Sequence, residues 1–342
     1  MNCRENRLIY QNAGPERSES KKESKKQKPK PQYDEASNEK QPKTEYHVQN
    51  ERVRTNKDAE SILRKMGNLL KEVILTAVKE VPGLELLKLV GNKYSGKELL
   101  EFMEKANTPQ TKALLIQYLS GVSDGGVALS QVQQQLKSDD SIVYTSALAF
   151  MIKYGEKEDI PMYLKNINDV LVTVQKAETK AVSEYDDKVA VSRERAKKVG
   201  TGEKAYLLID MPEDRKDLLL QYAALTGGYG SALKRGYDVL PTLKNIFEKS
   251  ELGVPMLMVG VQMIEAFKFT ELKSLLTSSK NKTQQNAILA VMAMCMFQSP
   301  ASDKDVQAER VRAIQTISSE LLASDVKFDP EQKKILEKMK AK

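Results

Sequence analysis

Hydrophobic residues recur at three- and four-residue steps along most of the chain after residue 57, which is the spacing of one helix face. The longest such stretch runs from Met162 to Val199 and contains neither glycine nor proline. Pro161 suits the first turn, where a missing amide hydrogen costs nothing, and Gly200 suits a left-handed cap. We therefore predict one long central helix at 161–200, roughly 55 Å long at about 1.5 Å per residue.

The first half of this helix carries an apolar stripe, which the single acidic residue Glu178 interrupts. The stripe consists of Leu164, Ile167, Leu171, Val174, Ala181 and Tyr185. After Tyr185 charged side chains predominate, so we predict a buried first half and a solvent-exposed second half. A basic arm for an anionic partner and a pairing with a second chain are the alternatives for the exposed end.

Shorter helices are predicted on both sides of the long one. Pro82-Gly83 ends the first, while Thr108-Pro109 and Asp140 are start signals for helices that end at Gly121 and Gly155. Gly227, Gly228 and Gly230 predict a flexible turn between helices at 214–225 and 231–250. Further helices are predicted at 255–267, 270–279, 282–298, 303–323 and 330–341.

No alternating stretch is long enough to require a sheet, so the predicted fold class is all-α. The segment from Thr111 to Gly121 aligns with that from Thr145 to Gly155 at an offset of 34 residues. Such a period is typical of stacked helix pairs. A degenerate, solenoid-like helical repeat and an irregular multi-helix bundle both remain open. The predicted organisation is a tail at 1–56, an N-terminal helical subdomain at 57–160, the long helix at 161–200 and a C-terminal helical subdomain at 201–342.

The net charge of +7 is concentrated in the tail. Residues 1–57 contain 14 Lys/Arg and 9 Asp/Glu, whereas the remainder contains 40 Lys/Arg and 38 Asp/Glu. The tail lacks apolar periodicity, so we predict that it is disordered. It is either a solvated tether or a polyanion-binding segment. The candidate polyanion contacts are Lys21, Lys22, Lys25, Lys26, Lys28 and Lys30 in the tail, together with Lys234 and Arg235 after the glycine-rich segment.

Residue types that carry catalysis or bind metals are scarce. His47 is the only histidine, and Cys3 and Cys295 are far apart in sequence. Gly91–Lys97 satisfies G-x-x-x-x-G-K, but Glu98 stands where a phosphate-binding loop needs a hydroxyl. Ser95 and Glu98 instead match a helix capping box. We expect no enzymatic activity and no bound metal or cofactor.

The remaining features favour a protein-binding role. A candidate partner groove consists of Met256, Met258, Met263, Met292, Met294 and Met296, because flexible methionines line adaptable surfaces as well as cores. We predict a cytoplasmic α-helical scaffold or adaptor that binds other proteins. The composition predicts no membrane span. A nucleic-acid-associated protein, such as a nucleoprotein or packaging factor that uses the basic tail, is the alternative. The oligomeric state is left open.

Overall fold

A computed structural model describes residues 75–84, 93–199, 215–279, 281–297 and 304–341, with only the backbone described at 185–199, 215 and 297. All regular structure in these ranges is helical, which confirms the all-α prediction. The predicted tail at 1–56 lies outside the described residues.

The described part of the chain contains α-helices of 6 to 40 residues and three short 3₁₀ turns. A helical segment at 75–80 comes first and ends at a turn that includes Gly83, whose φ of 87° is left-handed. Short 3₁₀ turns lie at Gly125–Ala128, Gln135–Lys137 and Lys157–Asp159. The α-helices are α1 (Gly96–Lys105), α2 (Pro109–Gly121), α3 (Leu129–Gln134), α4 (Ser141–Tyr154), α5 (Ile160–Val199), α6 (Arg215–Lys234), α7 (Leu240–Lys249), α8 (Gly253–Glu265), α9 (Phe269–Ser278), α10 (Lys282–Phe297), α11 (Lys304–Leu322) and α12 (Pro330–Ala341).

Local capping residues begin the early helices where the sequence predicts. The Ser95 hydroxyl accepts from the Glu98 amide at 3.3 Å, and the Glu98 carboxylate accepts from the Ser95 amide at 2.9 Å. This reciprocal capping box confirms that the G-x-x-x-x-G-K match is a helix start. The side chains of Thr108 and Asp140 cap α2 and α4 by accepting from amides of the first turn.

Alternate helices stack in chain order. Each of α2, α4, α6, α8 and α10 packs against the even-numbered helix that follows it. The helices between them pack against their chain neighbours. This order is typical of stacked helix pairs and favours the degenerate repeat over an irregular bundle. Because α4 packs against α6, one apolar core extends across the predicted subdomains on either side of α5.

Two successive pairs of stacked helices are joined at their C-terminal ends by the same kind of hydrogen bond. Lys153 and Tyr154, at the end of α4, donate to carbonyl oxygens at the end of α2: the ammonium to Ser120, and the hydroxyl to Val122 at 2.8 Å. The last carbonyls of a helix have no partners within it, and basic side chains are favourable beside them. These two bonds therefore align the ends of α2 and α4.

The same arrangement joins the next pair of helices in the stack, α4 and α6. Arg235, directly after α6, donates from Nη1 to the carbonyl oxygens of Ile152, Lys153 and Gly155 at 3.0–3.1 Å. The Tyr237 hydroxyl donates to the Lys157 carbonyl at 3.1 Å. A basic residue and a tyrosine thus bind the preceding helix end in both steps, so α2, α4 and α6 run parallel with their C-termini at one edge.

The long helix is confirmed, and α5 begins at Ile160, one residue before the predicted start at Pro161. The Ile167, Leu171 and Val174 side chains are buried, and Leu164 and Ala181 are half-buried. Glu178 is also buried, with 3 % of its surface exposed. The described residues of the stripe are therefore all buried or half-buried, and the acidic Glu178 is buried among them. The side chains of α5 from Tyr185 onward, including the basic ones, are not among those described, so the predicted exposure of the second half stays a prediction.

The turn predicted at Gly227–Gly230 is wrong, because α6 continues as one helix from Arg215 to Lys234. A Cβ built on Gly228 would lie 2.9 Å from Ile167 Cδ1 of α5 and 3.2 Å from the Cα of Ala149 in α4. A Cβ on Gly230 would lie 1.8 Å from Gln262 Oε1 of α8. These glycines let neighbouring helices approach closely, since interhelical distance depends on the side chains at the contact.

The predicted helix at 231–250 is correspondingly two elements. α6 ends at Lys234, and Gly236, with a φ of 86°, allows the left-handed turn that leads to α7. The helices predicted from 255 onward agree with α8 to α12 to within two residues at each end.

Alanine substitutions at two neighbouring glycines of α6 distinguish the effect of close packing on stability from the effect of helix propensity. A Cβ on Gly227 would meet no atom within 4 Å, whereas Gly228 is crowded. Both substitutions gain the same propensity, up to about 1 kcal/mol. We expect Gly227→Ala to be neutral or stabilising and Gly228→Ala to be less stable than Gly227→Ala by about 1–3 kcal/mol, the usual cost of overpacking. Urea unfolding of the two variants measures the difference, and equal stabilities would contradict the assigned packing.

Candidate functional site

A groove runs along α6 between its neighbours in the stack and encloses about 730 Å³. Ala223, Gly227 and Ser231 of α6 form its floor, with Lys153 of α4 and Gln262 of α8 on opposite walls. We call this surface the α6 groove. The floor residues are four positions apart, so they lie on one face of the helix and span about 12 Å. The groove is therefore a product of helix stacking, because α2, α4, α6 and α8 all contribute to its lining.

Small side chains keep the floor of the groove open. The Cβ position of Gly227 is free of neighbouring atoms to 4 Å, whereas that of Gly228, the next residue, meets both α4 and α5. The two glycines thus have different roles, one facing the groove and the other facing the core. Ala149 and Ala224 extend the small-residue lining toward α4.

Basic side chains outnumber acidic ones in the groove. Its charged lining residues are Lys153, Lys234 and Arg235 against the single carboxylate of Glu265. Lys234 Nζ lies 2.8 Å from Glu265 Oε2, which neutralises one of the three. Among the described residues, neither Lys153 nor Arg235 has a salt-bridge partner. The groove therefore carries an excess of two positive charges.

Lys153 is held in an environment that disfavours its charge. Its ammonium donates to the Ser120 carbonyl and lies 5.0 Å from the centroid of the Tyr154 ring. Burial lowers the pKa of Lys153, and the nearby Lys234 ammonium lowers it further, while the Glu265 carboxylate acts in the opposite direction. An anion placed in the groove would relieve this repulsion.

Two of the predicted polyanion contacts, Lys234 and Arg235, line this groove. The sequence predicts that a helix starts just before them, at residue 231, but α6 is continuous there. Arg235 is engaged with the carbonyls at the end of α4, and Lys234 is paired with Glu265. Binding of a polyanion by these two residues stays a prediction. The six tail lysines lie outside the described residues.

The predicted methionine groove is mostly interior. Met256, Met263, Met292 and Met296 are buried where α8 and α10 pack together. Buried side chains fill the core and are not available to a partner on this surface. Only Met258 and Met294 are half-exposed, so a role in partner contact stays a prediction for these two alone.

The buried carboxylate of Glu178 holds together helices that form the groove. In the sequence, this residue is visible only as an interruption of an apolar stripe. Glu178 of α5 accepts through Oε1 from the Ser250 hydroxyl at 2.6 Å. The same oxygen accepts from the amides of Glu251 and Leu252 at 2.9 and 3.0 Å. Its Oε2 accepts from the Tyr222 hydroxyl of α6. One side chain thus joins α5 to α6 and to the connection between α7 and α8.

These four donors explain how a charged group is buried. A carboxylate removed from water is tolerated when hydrogen-bond donors replace its hydration. Leu252 is the N-cap residue of α8, so the carboxylate also lies at the positive end of that helix. Burial and the adjoining Glu178 carboxylate raise the pKa of Tyr222 well above its ordinary value. Tyr222 therefore stays protonated as the donor.

Clusters of metal-binding side chains and membrane-spanning helices are absent from the described ranges. No group of three or more His, Cys, Asp or Glu side chains there could hold a metal ion. None of the helices described is both long and apolar enough to cross a membrane. Cys295 carries a free, half-buried thiol whose pKa is raised by burial, against the lowering effect of Arg310.

No protein-family model matches the chain, and neither a curated protein nor a solved structure matches it. Function is therefore inferred below from the geometry of the stack and of the α6 groove.

Removal of the Glu178 carboxylate should destabilise the fold strongly. In Glu178→Ala, two hydroxyls and two amides lose the carboxylate that accepts from them, and we expect a loss of about 3 kcal/mol or more in the free energy of unfolding. Glu184→Ala on the same helix is the matched control, because Glu184 is exposed and pairs only with Lys180 at 3.7 Å among the described residues. We expect that change to stay within about 0.5 kcal/mol. Urea unfolding measures both, and similar losses would refute the role of Glu178.

Proposed function

We propose that the protein is a non-catalytic α-helical scaffold that binds other proteins through the α6 groove. The observation that carries this proposal is the open, half-exposed floor of Ala223, Gly227 and Ser231 between stacked helices. Stacked helices form extended binding surfaces because each added helix contributes a further strip of side chains.

The composition of the groove favours a protein over a small molecule. Small-molecule pockets are lined mainly by apolar and aromatic side chains, with few polar groups. The α6 groove instead combines alanines, Gly227 and serines with glutamines and charged residues. A floor without large side chains allows the backbone of a partner to approach, and polar walls can bind its side chains.

A nucleic-acid-associated protein is the second candidate. The observation in its favour is the charge of residues 1–57, where 14 Lys/Arg face 9 Asp/Glu. The rest of the chain is nearly balanced, with 40 Lys/Arg and 38 Asp/Glu. Binding of this kind would depend on the tail and would weaken steeply with salt.

Site-specific photo-crosslinking tests the scaffold proposal. A photoreactive amino acid at Ser231 faces the groove, and one at Lys244, exposed on α7, serves as the control position. In extracts of the source organism, we expect adducts with distinct proteins at position 231 that are missing at 244. These adducts should survive nuclease treatment.

A blocking variant makes the test specific to the groove. Gly227→Leu places a side chain in the open floor and should remove the adducts at 231, whereas Lys244→Leu should leave them unchanged. Adducts that disappear with nuclease and require residues 1–56 would support the nucleic-acid alternative. The scaffold proposal fails if the adduct patterns at 231 and 244 are the same.

A further inference from the structure

We propose that the α6 groove receives an acidic helical segment of a partner protein. This inference rests on the proposed function and adds the chemistry of the partner. It follows from the shape of the floor, the position of the basic side chains and the excess of three cations over one carboxylate in the described lining.

The shape of the floor favours a helix lying along α6. Ala223, Gly227 and Ser231 follow one another at a spacing of four residues, so the open strip runs parallel to the α6 axis. Its length of about 12 Å corresponds to about two helical turns. A helix with small residues on one face can approach such a strip closely, as α4 and α5 approach α6 at the adjacent Gly228.

The charges are concentrated at one end of this strip. Lys153 lies in the last turn of α4, Lys234 ends α6, and Arg235 follows it. Because α2, α4 and α6 end at the same edge, these cations gather there. Glu265, the single carboxylate of the described lining, forms its salt bridge with Lys234. A partner that carries Asp or Glu at this end would supply the missing negative charge.

The environment of Lys153 supports an anionic occupant. Its ammonium is partly withdrawn from water and faces Lys234, and both effects lower the pKa of Lys153. A carboxylate in a half-buried groove is screened less than one at an exposed surface, so its pairing with Lys153 would be stronger than an ordinary surface ion pair.

Three peptides that differ only in charge test the inference. The probe is an alanine-rich helical peptide bearing glutamates, and the comparison peptides carry glutamine or lysine in their place. Titrations monitored by fluorescence of the labelled peptides use the full-length protein. We expect the Glu peptide to bind, the Gln peptide to bind about tenfold more weakly, and the Lys peptide not to bind.

Two protein variants of equal charge locate the binding. Ser231→Glu puts a carboxylate on the groove floor and should weaken binding of the Glu peptide about tenfold. Ser319→Glu adds the same charge to a half-exposed serine of α11, which does not line the groove, and should have no effect. Gly227→Leu should abolish binding, and circular dichroism confirms that each variant is folded.

Three results would overturn the inference: no binding of the Glu peptide, equal binding of the Glu and Lys peptides, or equal losses in Ser231→Glu and Ser319→Glu. Binding of an RNA oligonucleotide in the groove, without binding of the Glu peptide, would overturn it in favour of nucleic acid. If groove-specific protein adducts at position 231 persist while the Glu peptide fails, the scaffold function stands and only the acidic preference is wrong.

Discussion

Close packing of α6 against three neighbouring helices is the constraint on which this structure depends. Gly228 allows α4 and α5 to approach on one side, and Gly230 leaves room for the Gln262 side chain of α8. Glycine in a helix interior costs roughly 1 kcal/mol relative to alanine. At Gly228 and Gly230 this cost is offset by close helix contacts that a larger residue would prevent. The adjacent Gly227, whose Cβ position meets no atom within 4 Å, leaves the groove open.

Two kinds of polar contact hold this packing in register. At the C-terminal edge, Lys153 and Arg235 bind the unpaired carbonyls of the preceding helix in the stack. In the interior, the buried Glu178 connects α5 to Tyr222 and to the start of α8 through four hydrogen bonds. Dispersion and apolar burial are not directional, so these contacts specify how far each helix slides along its neighbour. The groove takes its shape from that register.

Features set by neighbouring residues could be predicted from the sequence. The capping box of Ser95 and Glu98 and the cap of Asp140 are local, and so is the spacing that predicts the long helix. The glycines of α6 could not be assigned, because a turn and a close helix contact require the same lack of a side chain. Only the positions of Ala149 and Ile167, far away in the chain, distinguish the two.

The candidate site depends even more on distant residues. Glu178 is only an interruption of the stripe at the level of sequence, because its donors Tyr222 and Ser250 are 44 and 72 residues further along. Lys234 and Arg235 do line the groove, but the helix predicted to begin at residue 231 is the continuation of α6. Lys153 and the floor of the groove gave no local signal, since alanines, serines and lysines are ordinary helix residues.

Amide hydrogen exchange across 227–231 tests the central claim most directly. In a continuous α6, the amides of Gly227, Gly228 and Gly230 bond to carbonyls four residues earlier, and they should be protected to the same degree as those of Tyr222 and Ala224. Exchange close to the rate of an unstructured peptide at these glycines, with protection on both sides of them, would show a turn in place of the helix and would contradict the account.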